Sequence, residues 1–172
     1  MRIFLIGFMG SGKSTWGKKL GEMMGMKFVD LDTVIEERTN MDINGIFRMK
    51  GESFFRKIEA VCLRLLAKED NMIIACGGGT PCFHDNISEM NSSGITVWLN
   101  TPKNVIASRL LDEAEHRPLV RDLNPEQLTE FIEDKLEERM QYYGLAQIVV
   151  DTTISTPEEL YHQLSKHAQN LS

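Results

Sequence analysis

The feature that most constrains the fold is a glycine-rich segment close to the start of the sequence. Residues 7–14 read GFMGSGKS and match the pattern G-x-x-x-x-G-K-[ST] at every fixed position. An apolar run precedes the segment and an amphipathic stretch, residues 13–24, follows it, so it stands between a predicted strand and a predicted helix. This arrangement directs backbone N–H groups and a helix N-terminus at a phosphate. The alternative is a glycine-rich turn with an incidental lysine, which the full pattern in this context disfavours.

Two residues of the segment predict its chemistry. Lys13 supplies positive charge to the β- and γ-phosphates, and the Ser14 hydroxyl is placed to coordinate Mg²⁺ of bound ATP or GTP. The guanine-reading motif N-K-x-D is absent, and DING at 42–45 has the D-x-x-G spacing of a GTPase switch without a preceding apolar strand. A GTPase is therefore not expected. The third apolar run ends in GGG at 77–79 and not in an acid, so another carboxylate must help to hold Mg²⁺.

Short apolar segments alternate with helical patterns along the chain. The apolar segments do not alternate strictly with polar residues, as expected of strands that are covered on both faces. Asn124 and Thr156 each precede a proline and have Gln or Glu at the third following position, which predicts a capping box. Thr101, which also precedes a proline, is predicted to cap a helix that begins at Pro102. The order predicts an α/β fold, a parallel sheet with helices on both faces, and ligands at the carboxyl ends of the strands. The predicted strands are residues 2–7, 27–31, 72–76, 95–99 and 147–151.

The composition limits the classes of protein to consider. The 172 residues have no linker rich in Pro, Gly or Ser, so we expect a single domain over residues 1–172. The net charge of −6 argues against a nucleic-acid partner, and no apolar run approaches the roughly 18 residues that span a membrane. Three cysteines without zinc-type spacing, and no secretion signal, predict free thiols and a cytoplasmic location. Because no long exposed apolar stripe calls for a partner, we expect a monomer.

Two aspartates close the second predicted strand. Asp30 and Asp32 are two residues apart, so on a strand both would point to the same side, at the edge that borders the phosphate loop. One carboxylate would support the waters of Mg²⁺, and the other would orient or deprotonate an acceptor hydroxyl. The alternative is an N-cap for the next helix, which requires only one aspartate.

Other candidate residues have both a structural and a functional interpretation. Arg56 follows two aromatic residues and its fork suits a carboxylate, although most such surface charges are solvated. The glycines at 77–79 allow either close approach of a ligand or a flexible turn. Arg139, on position alone, is a helix-surface ion-pair partner. The polar segment 112–123 is either a solvated loop or a lid that brings Arg117 onto the phosphates.

Together these motifs resemble the shikimate kinase family over the whole chain. The phosphate loop is shared by many families, whereas its combination with the aspartate pair, F-R-x-x-E and the triple glycine is much more specific. The resemblance implies a three-layer P-loop kinase fold with a five-stranded parallel sheet, a substrate-binding segment at about 32–61 and a lid at about 112–123. The matching elements, in family order, are GFMGSGKST at 7–15, DLD at 30–32, FFRKIE at 54–59, GGG at 77–79, RPLV at 117–120, RMQYY at 139–143, and VDTT followed by TPEE at 150–159.

The resemblance also implies an activity and a set of site residues. The activity is Mg²⁺-dependent transfer of the γ-phosphate of ATP to the 3-hydroxyl of shikimate, a step of aromatic amino acid biosynthesis through chorismate. Shikimate would contact Asp32, Arg56, Gly78, Gly79 and Arg139. The ATP phosphates would be held by Gly10, Ser11, Gly12, Lys13, Ser14 and Thr15, with Arg117 from the lid. The catalytic residues would be Lys13, Asp32 as the base, and Arg117, and the metal would be bound by Ser14 and, through water, by Asp30.

Three other functions compete with this interpretation. A gluconate-type sugar-acid kinase also acts on a carboxylate with hydroxyls, but the D-L-D and F-R-x-x-E segments favour shikimate. A nucleotide-binding regulatory module would have no need for an acceptor site. A nucleic-acid ATPase is disfavoured by the size and the net charge of −6.

Overall fold

The computed structural model describes residues 1–112, 120 and 122–169. Most of the predicted lid, including Arg117 and Arg121, lies outside the described residues. The strands are β1 (Arg2–Ile6), β2 (Lys27–Asp30), β3 (Met72–Ala75), β4 (Ile95–Asn100) and β5 (Ile148–Asp151). The helices are α1 (Lys13–Met24), α2 (Leu31–Thr39), α3 (Ile43–Lys50), α4 (Glu52–Leu66), α5 (Asn86–Ser93), α6 (Lys103–Asp112), α7 (Pro125–Tyr143) and α8 (Pro157–Gln169), with a 3₁₀ turn at Thr80–Cys82.

The five strands form one parallel sheet in the order β2-β3-β1-β4-β5. In the register of the sheet, Leu5 in β1 pairs with Ala75 in β3 and Val97 in β4, and Asp30 at the end of β2 also pairs with Ala75. The carboxyl ends of these strands therefore lie at one edge. The predicted strands are confirmed to within one residue at each end. Strands β1, β3 and β4 are buried on both faces, as their apolar runs predict, whereas the edge strands β2 and β5 are partly exposed.

Both faces of the sheet are covered by helices. Phe4 and Ile6 of β1 belong to an apolar cluster with residues of α2, α3, α4, α5 and α7, whereas Ile3 and Leu5 belong to a second cluster with residues of α1 and α8. A third cluster joins Phe8, just after β1, to α6 and α7. The α/β three-layer class is confirmed. No helix in the described part of the chain is both long enough and apolar enough to cross a membrane.

The predicted helix starts are correct in two cases and wrong in one. Asn124 begins α7 with a complete capping box, and Thr156 and Glu159 exchange the same pair of bonds before α8. Thr101 does not cap α6, which begins at Lys103. Its hydroxyl instead contacts the Thr152 hydroxyl at 2.7 Å and the main-chain oxygen of Ser11 at 3.3 Å. The Thr101 hydroxyl therefore connects loops at the end of the sheet and does not bond to the first turn of α6.

The D-x-x-G segment at 42–45 is a helix N-cap. The Asp42 carboxylate accepts a hydrogen bond from the N–H of Gly45 at 2.6 Å in the first turn of α3. Since the spacing is accounted for by this cap, the structure supports the interpretation that it is not a GTPase switch.

Candidate functional site

The phosphate loop connects β1 to α1 and is held closed by its own lysine. Gly7, Gly10 and Gly12 have positive φ angles of 140°, 76° and 92°, which residues with a Cβ rarely adopt. Nζ of Lys13 donates to the main-chain oxygens of Gly7 at 2.9 Å and Phe8 at 2.8 Å. The ammonium group thus lies inside the loop, at the N-terminus of α1, where a phosphate would be placed.

A hydroxyl and a carboxylate face each other beside the loop. Oγ of Ser14 lies 3.2 Å from Oδ2 of Asp30, and Oδ1 of Asp30 accepts a hydrogen bond from the N–H of Asp32. Oxygen ligands of this kind suit Mg²⁺, which commonly retains several waters. The two residues could therefore hold a magnesium ion between them and a nucleotide.

The predicted strand position of Asp32 is wrong. Strand β2 ends at Asp30, which caps α2, and Asp32 lies in the first turn of that helix. The argument from strand alternation therefore does not apply, because the chain turns into a helix between the two aspartates. Both residues nevertheless line the same cleft as the phosphate loop.

Asp32 is a carboxylate in an unfavourable environment. Its Oδ1 atom is buried and has no hydrogen-bond partner within the described part of the chain. Burial, together with the negative charges of Asp30 and Glu59, raises the pKa of Asp32 from its ordinary value of 3.8 to about 6, against the opposing charge of Lys13. A carboxylate with a pKa near neutrality can accept a proton, which is the property that a general base requires.

Arg56 is fixed in place on α4 and is not a solvated surface charge. Its Nη1 donates to Glu59 at 2.9 Å, and its Nε and Nη2 donate to Glu52 at 3.2 Å. The guanidinium carbon lies 4.2 Å from the ring centroid of Phe83 and 5.0 Å from that of Phe55. Ion pairs and aromatic rings together hold the planar group in one orientation, as recognition of a carboxylate demands.

Arg139 on α7 also differs from the expectation of a surface ion pair. Its Nη1 is buried and has no hydrogen-bond partner among the described residues, and the guanidinium lies 5.3 Å from the Phe8 ring. The nearby lysine, Lys135, pairs with Glu138 instead. The head of Arg139 faces the interior, next to the triple glycine, and has donor capacity for a ligand.

The triple glycine has no side chains, and this leaves room for the guanidinium groups of the two arginines. A Cβ atom on Gly79 would lie 2.6 Å from Nη2 of Arg56, and a Cβ atom on Gly78 would lie 2.9 Å from Nη1 of Arg139. The main-chain oxygen of Gly78 accepts a hydrogen bond of 2.6 Å from the Tyr143 hydroxyl. Burial raises the pKa of Tyr143 to about 12, so the phenol remains a donor. Tyr143 therefore bonds to the main chain of this turn, while the guanidinium groups of Arg139 and Arg56 occupy the space beside Gly78 and Gly79.

One cleft of about 650 Å³ joins the phosphate loop to the two aspartates and the first glycines of the GGG segment. Arg109 borders it and donates to the main-chain oxygen of Gly10 at 2.9 Å. Ser11, which is part of the phosphate loop, is fully buried. The structure thus brings together the predicted residues that line this cleft, which are Gly10, Gly12, Lys13, Ser14, Thr15, Asp30, Asp32 and Gly78.

Comparison with known proteins agrees with this geometry. The family model described as Shikimate kinase matches residues 9–169. A shikimate kinase of Parabacteroides distasonis is 40% identical over 164 residues, which make up 95% of each chain. The chain belongs to the shikimate kinase family.

Solved structures extend the likeness to the shikimate kinase fold. The crystal structure of the shikimate kinase of Bacteroides thetaiotaomicron matches with a TM-score of 0.91 and 35% identity, covering 98% of each chain. The shikimate kinase of Acinetobacter baumannii in complex with shikimate matches with a TM-score of 0.84 and 32% identity, covering 99% of this chain and 94% of that one. A gluconokinase of Sinorhizobium meliloti, at a TM-score of 0.58 and 19% identity, shares the fold alone.

Sequence reasoning missed the residues that support the arginines of this shikimate kinase family member. Glu59, Thr80, Tyr143 and Phe83 bond or pack against Arg56 or the glycine turn. Only Glu59 carries a usable signal, because it follows Arg56 by three residues on a predicted helix and so lies on the same face. Thr80 and Phe83 follow the triple glycine closely, but their contacts with Glu59 and Arg56 on α4 join distant parts of the chain. The contact of Tyr143 with Gly78 is also long-range.

We expect Asp32→Asn to stabilise the ligand-free protein at pH 7.5. In the folded state the ionised carboxylate is disfavoured, and a rise in pKa from 3.8 to about 6 costs on the order of 3 kcal/mol above pH 6. This cost diminishes as the pH falls through 6 towards 4, since the folded form then takes up a proton. Thermal unfolding at pH 7.5 and 4 measures the effect. Asp134→Asn, at an exposed site on α7, is the control, and an equal gain at both pH values would contradict the prediction.

We expect Gly79→Ala to weaken binding of the acceptor while leaving the fold intact. The φ angle of −92° suits alanine, but the new methyl group would displace the guanidinium of Arg56. The KM for shikimate should rise about tenfold, with the KM for ATP within twofold of the parent. Gly144→Ala, where φ is −65°, is the matched control. Unchanged shikimate kinetics in Gly79→Ala would show that the contact with Arg56 has no consequence.

Proposed function

We propose that this chain phosphorylates the 3-hydroxyl of shikimate with the γ-phosphate of ATP, releasing shikimate 3-phosphate and ADP. The observation that carries the proposal is the position of Arg56, Arg139 and Asp32 around the triple glycine, beside the phosphate loop. Two guanidinium groups suit a carboxylate, and a carboxylate of raised pKa suits a hydroxyl. This pair of functional groups on one small acceptor matches shikimate, the ligand of the related structure from Acinetobacter baumannii.

In the proposed reaction the protein mainly positions groups and balances charge. Arg56 and Arg139 bind the acceptor carboxylate, with main-chain contacts from Gly78 and Gly79, and this places the 3-hydroxyl near Asp32. Asp32 accepts the proton of the hydroxyl as the hydroxyl oxygen attacks the γ-phosphorus in line. Lys13 offsets the negative charge that spreads over the phosphoryl oxygens. Each of these groups acts on a different atom of the two substrates.

The nucleotide and its metal occupy the loop side of the cleft in this proposal. Residues 10–15 would hold the ATP phosphates, Ser14 would bind Mg²⁺, and Asp30 would hold it through water. A metal bound there would supply positive charge to the phosphates. Arg117, which lies outside the described residues, is proposed to reach the phosphates from a lid at about 112–123 and to help exclude water. Residues 153–157 are proposed to border the adenine.

The wider properties of the protein follow from the same proposal. We propose a monomeric enzyme in which residues 1–172 form one P-loop kinase domain with an acceptor-binding segment at about 32–61. A kinase of aromatic amino acid biosynthesis through chorismate would act in the cytoplasm on small molecules, without a nucleic-acid or membrane partner. The net charge of −6 supports the absence of a nucleic-acid partner.

Release of ADP from MgATP should depend on shikimate. The assay compares shikimate, gluconate and no acceptor. The control is Lys13→Ala, which removes the positive charge that offsets the negative charge of the transferring phosphoryl group. We expect release with shikimate only, and a loss of at least a hundredfold in the variant. Release with gluconate instead would keep the kinase class and overturn the acceptor. Release that is independent of an acceptor, or no release, would overturn the proposed function.

Arg56→Lys should separate binding of the two substrates. The lysine keeps a positive charge opposite the buried Glu59 but loses the planar fork, so the KM for shikimate should rise by tenfold or more. The KM for ATP should stay within twofold, since Arg56 is supported by α4 and not by the phosphate loop. Lys57→Ala, an exposed neighbour on the same helix, is the matched control. A parallel rise in both KM values would contradict the carboxylate role.

A further inference from the structure

A buried chain of hydrogen bonds leads from the 3₁₀ turn to Arg56. The Thr80 hydroxyl donates to Oε1 of Glu59 at 2.6 Å, and Oε2 of Glu59 accepts from Nη1 of Arg56 at 2.9 Å. Thr80 and Glu59 are both inaccessible to solvent. Arg56, the last residue of this series of hydrogen bonds, has a role in the proposed function, whereas Thr80, the first, has none.

The Glu59 carboxylate depends on Thr80 for one of its two oxygens. A buried carboxylate is tolerated when it is paired and hydrogen-bonded, and a buried oxygen that loses its donor costs the full desolvation of a charged group. Arg56 satisfies Oε2 and Thr80 satisfies Oε1. If the Thr80 donor were removed, Oε1 could regain a partner only if Glu59 turned towards Arg56, which would draw the guanidinium out of its orientation.

The donor is held firmly at the position where it is needed. The N–H of Thr80 donates to the Gly77 main-chain oxygen at 3.0 Å, and the Asn86 side chain donates to the Thr80 main-chain oxygen at 2.9 Å. Asn86 is itself fully buried. With its main chain fixed on both sides, Thr80 presents its hydroxyl to Glu59 without further ordering.

A second carboxylate, that of Asp32, makes this donor more important. A Cβ atom on Gly77 would lie 3.1 Å from Oγ1 of Thr80, 3.3 Å from Oε1 of Glu59 and 3.5 Å from Oδ1 of Asp32. The three oxygens therefore converge on one point of the glycine turn. The Thr80 hydroxyl thus supplies a hydrogen bond to the Glu59 oxygen next to the Asp32 carboxylate, whose negative charge repels it.

We propose that Thr80 is a positioning residue for the acceptor, which acts through Glu59 to hold the Arg56 guanidinium in the orientation that binds the acceptor carboxylate. The proposal rests on the proposed function, because it concerns the same acceptor. Thr80 itself touches neither substrate in this account. The hydrogen bonds of the Thr80 hydroxyl lead to Arg56 and not to the phosphate loop, so binding of ATP should not respond to loss of the hydroxyl.

The test compares Thr80→Val, which removes the hydroxyl at nearly constant volume, with Thr80→Ser, which keeps it. We expect Thr80→Val to raise the KM for shikimate by about tenfold or more, with the KM for ATP within twofold of the parent. Thr80→Ser should remain within about threefold of the parent for both substrates. Thr80→Ala, which also removes the hydroxyl, should change the KM for shikimate in the same direction and provides the test if the valine variant does not fold.

Thr96→Val is the matched control. Thr96 is a fully buried threonine in β4 whose hydroxyl has no hydrogen-bond partner among the described residues, so its replacement should leave both KM values unchanged. Coupling is measured by adding Thr80→Val to Arg56→Lys. Because Thr80 is proposed to act through Arg56, the second substitution should add less than threefold to the KM for shikimate in that background.

The outcomes separate this inference from the proposed function. A parent protein without shikimate-dependent release of ADP would overturn the proposed function whatever the variants do. With an active parent, an unchanged KM for shikimate in Thr80→Val or Thr80→Ala would overturn the role of Thr80 alone. Equal rises for both substrates, or failure of Thr80→Ser to preserve binding, would also overturn it, since each indicates a general structural defect. Full additivity with Arg56→Lys would overturn it because Thr80 would then act independently of Arg56.

Discussion

Hydrogen bonding between β1 and its two parallel neighbours sets the position of nearly every group in the site. Leu5 pairs with Ala75 and Val97, so β1 and β3 end within one residue of each other, and β4 continues to Asn100 on the same side of the sheet. The phosphate loop, the triple glycine and the Thr101 segment therefore meet at one edge, although they are far apart in sequence. Strand β2, paired with β3, adds Asp30 to the same edge. Without this register, none of the short contacts between these segments could form.

Negative charge is concentrated beside that edge, and the structure treats each carboxylate differently. Glu59 is fully buried and has a partner for both oxygens, while Asp30 caps α2 and contacts Ser14. Asp32 alone keeps a buried oxygen without a partner in the described part of the chain. Its raised pKa follows from burial and from the other two acids. The protein thus provides hydrogen-bond partners for Asp30 and Glu59 and leaves one buried oxygen of Asp32 without a partner among the described residues.

The features that the sequence predicts well depend on interactions between nearby residues. The features that it does not predict depend on contacts between distant segments. The phosphate loop, the five strands and the capping box at Asn124 follow from contacts within a few residues, and the sequence predicts them well. Asp32 was misplaced because Asp30 ends the strand by capping a helix, which local alternation cannot reveal. Position alone predicts a surface ion pair for Arg139 and a helix cap for Thr101, and both predictions fail because the contacts of these residues lie in distant segments, at Gly78 and Thr152 respectively. Such contacts exist only once the sheet has formed.

The contact between two arginines and bare main chain has a consequence for how such a site can diverge. At Gly78 and Gly79 the volume that a side chain would fill is already taken by guanidinium groups. New specificity for another acid therefore cannot arise by growing a side chain from this turn. It would have to arise elsewhere, for example in the layer behind the arginines, where Glu59 bonds to Arg56 and Tyr143 bonds to the main chain of Gly78. A substitution in that layer would turn a guanidinium group or shift the glycine turn without adding volume where the proposed acceptor binds.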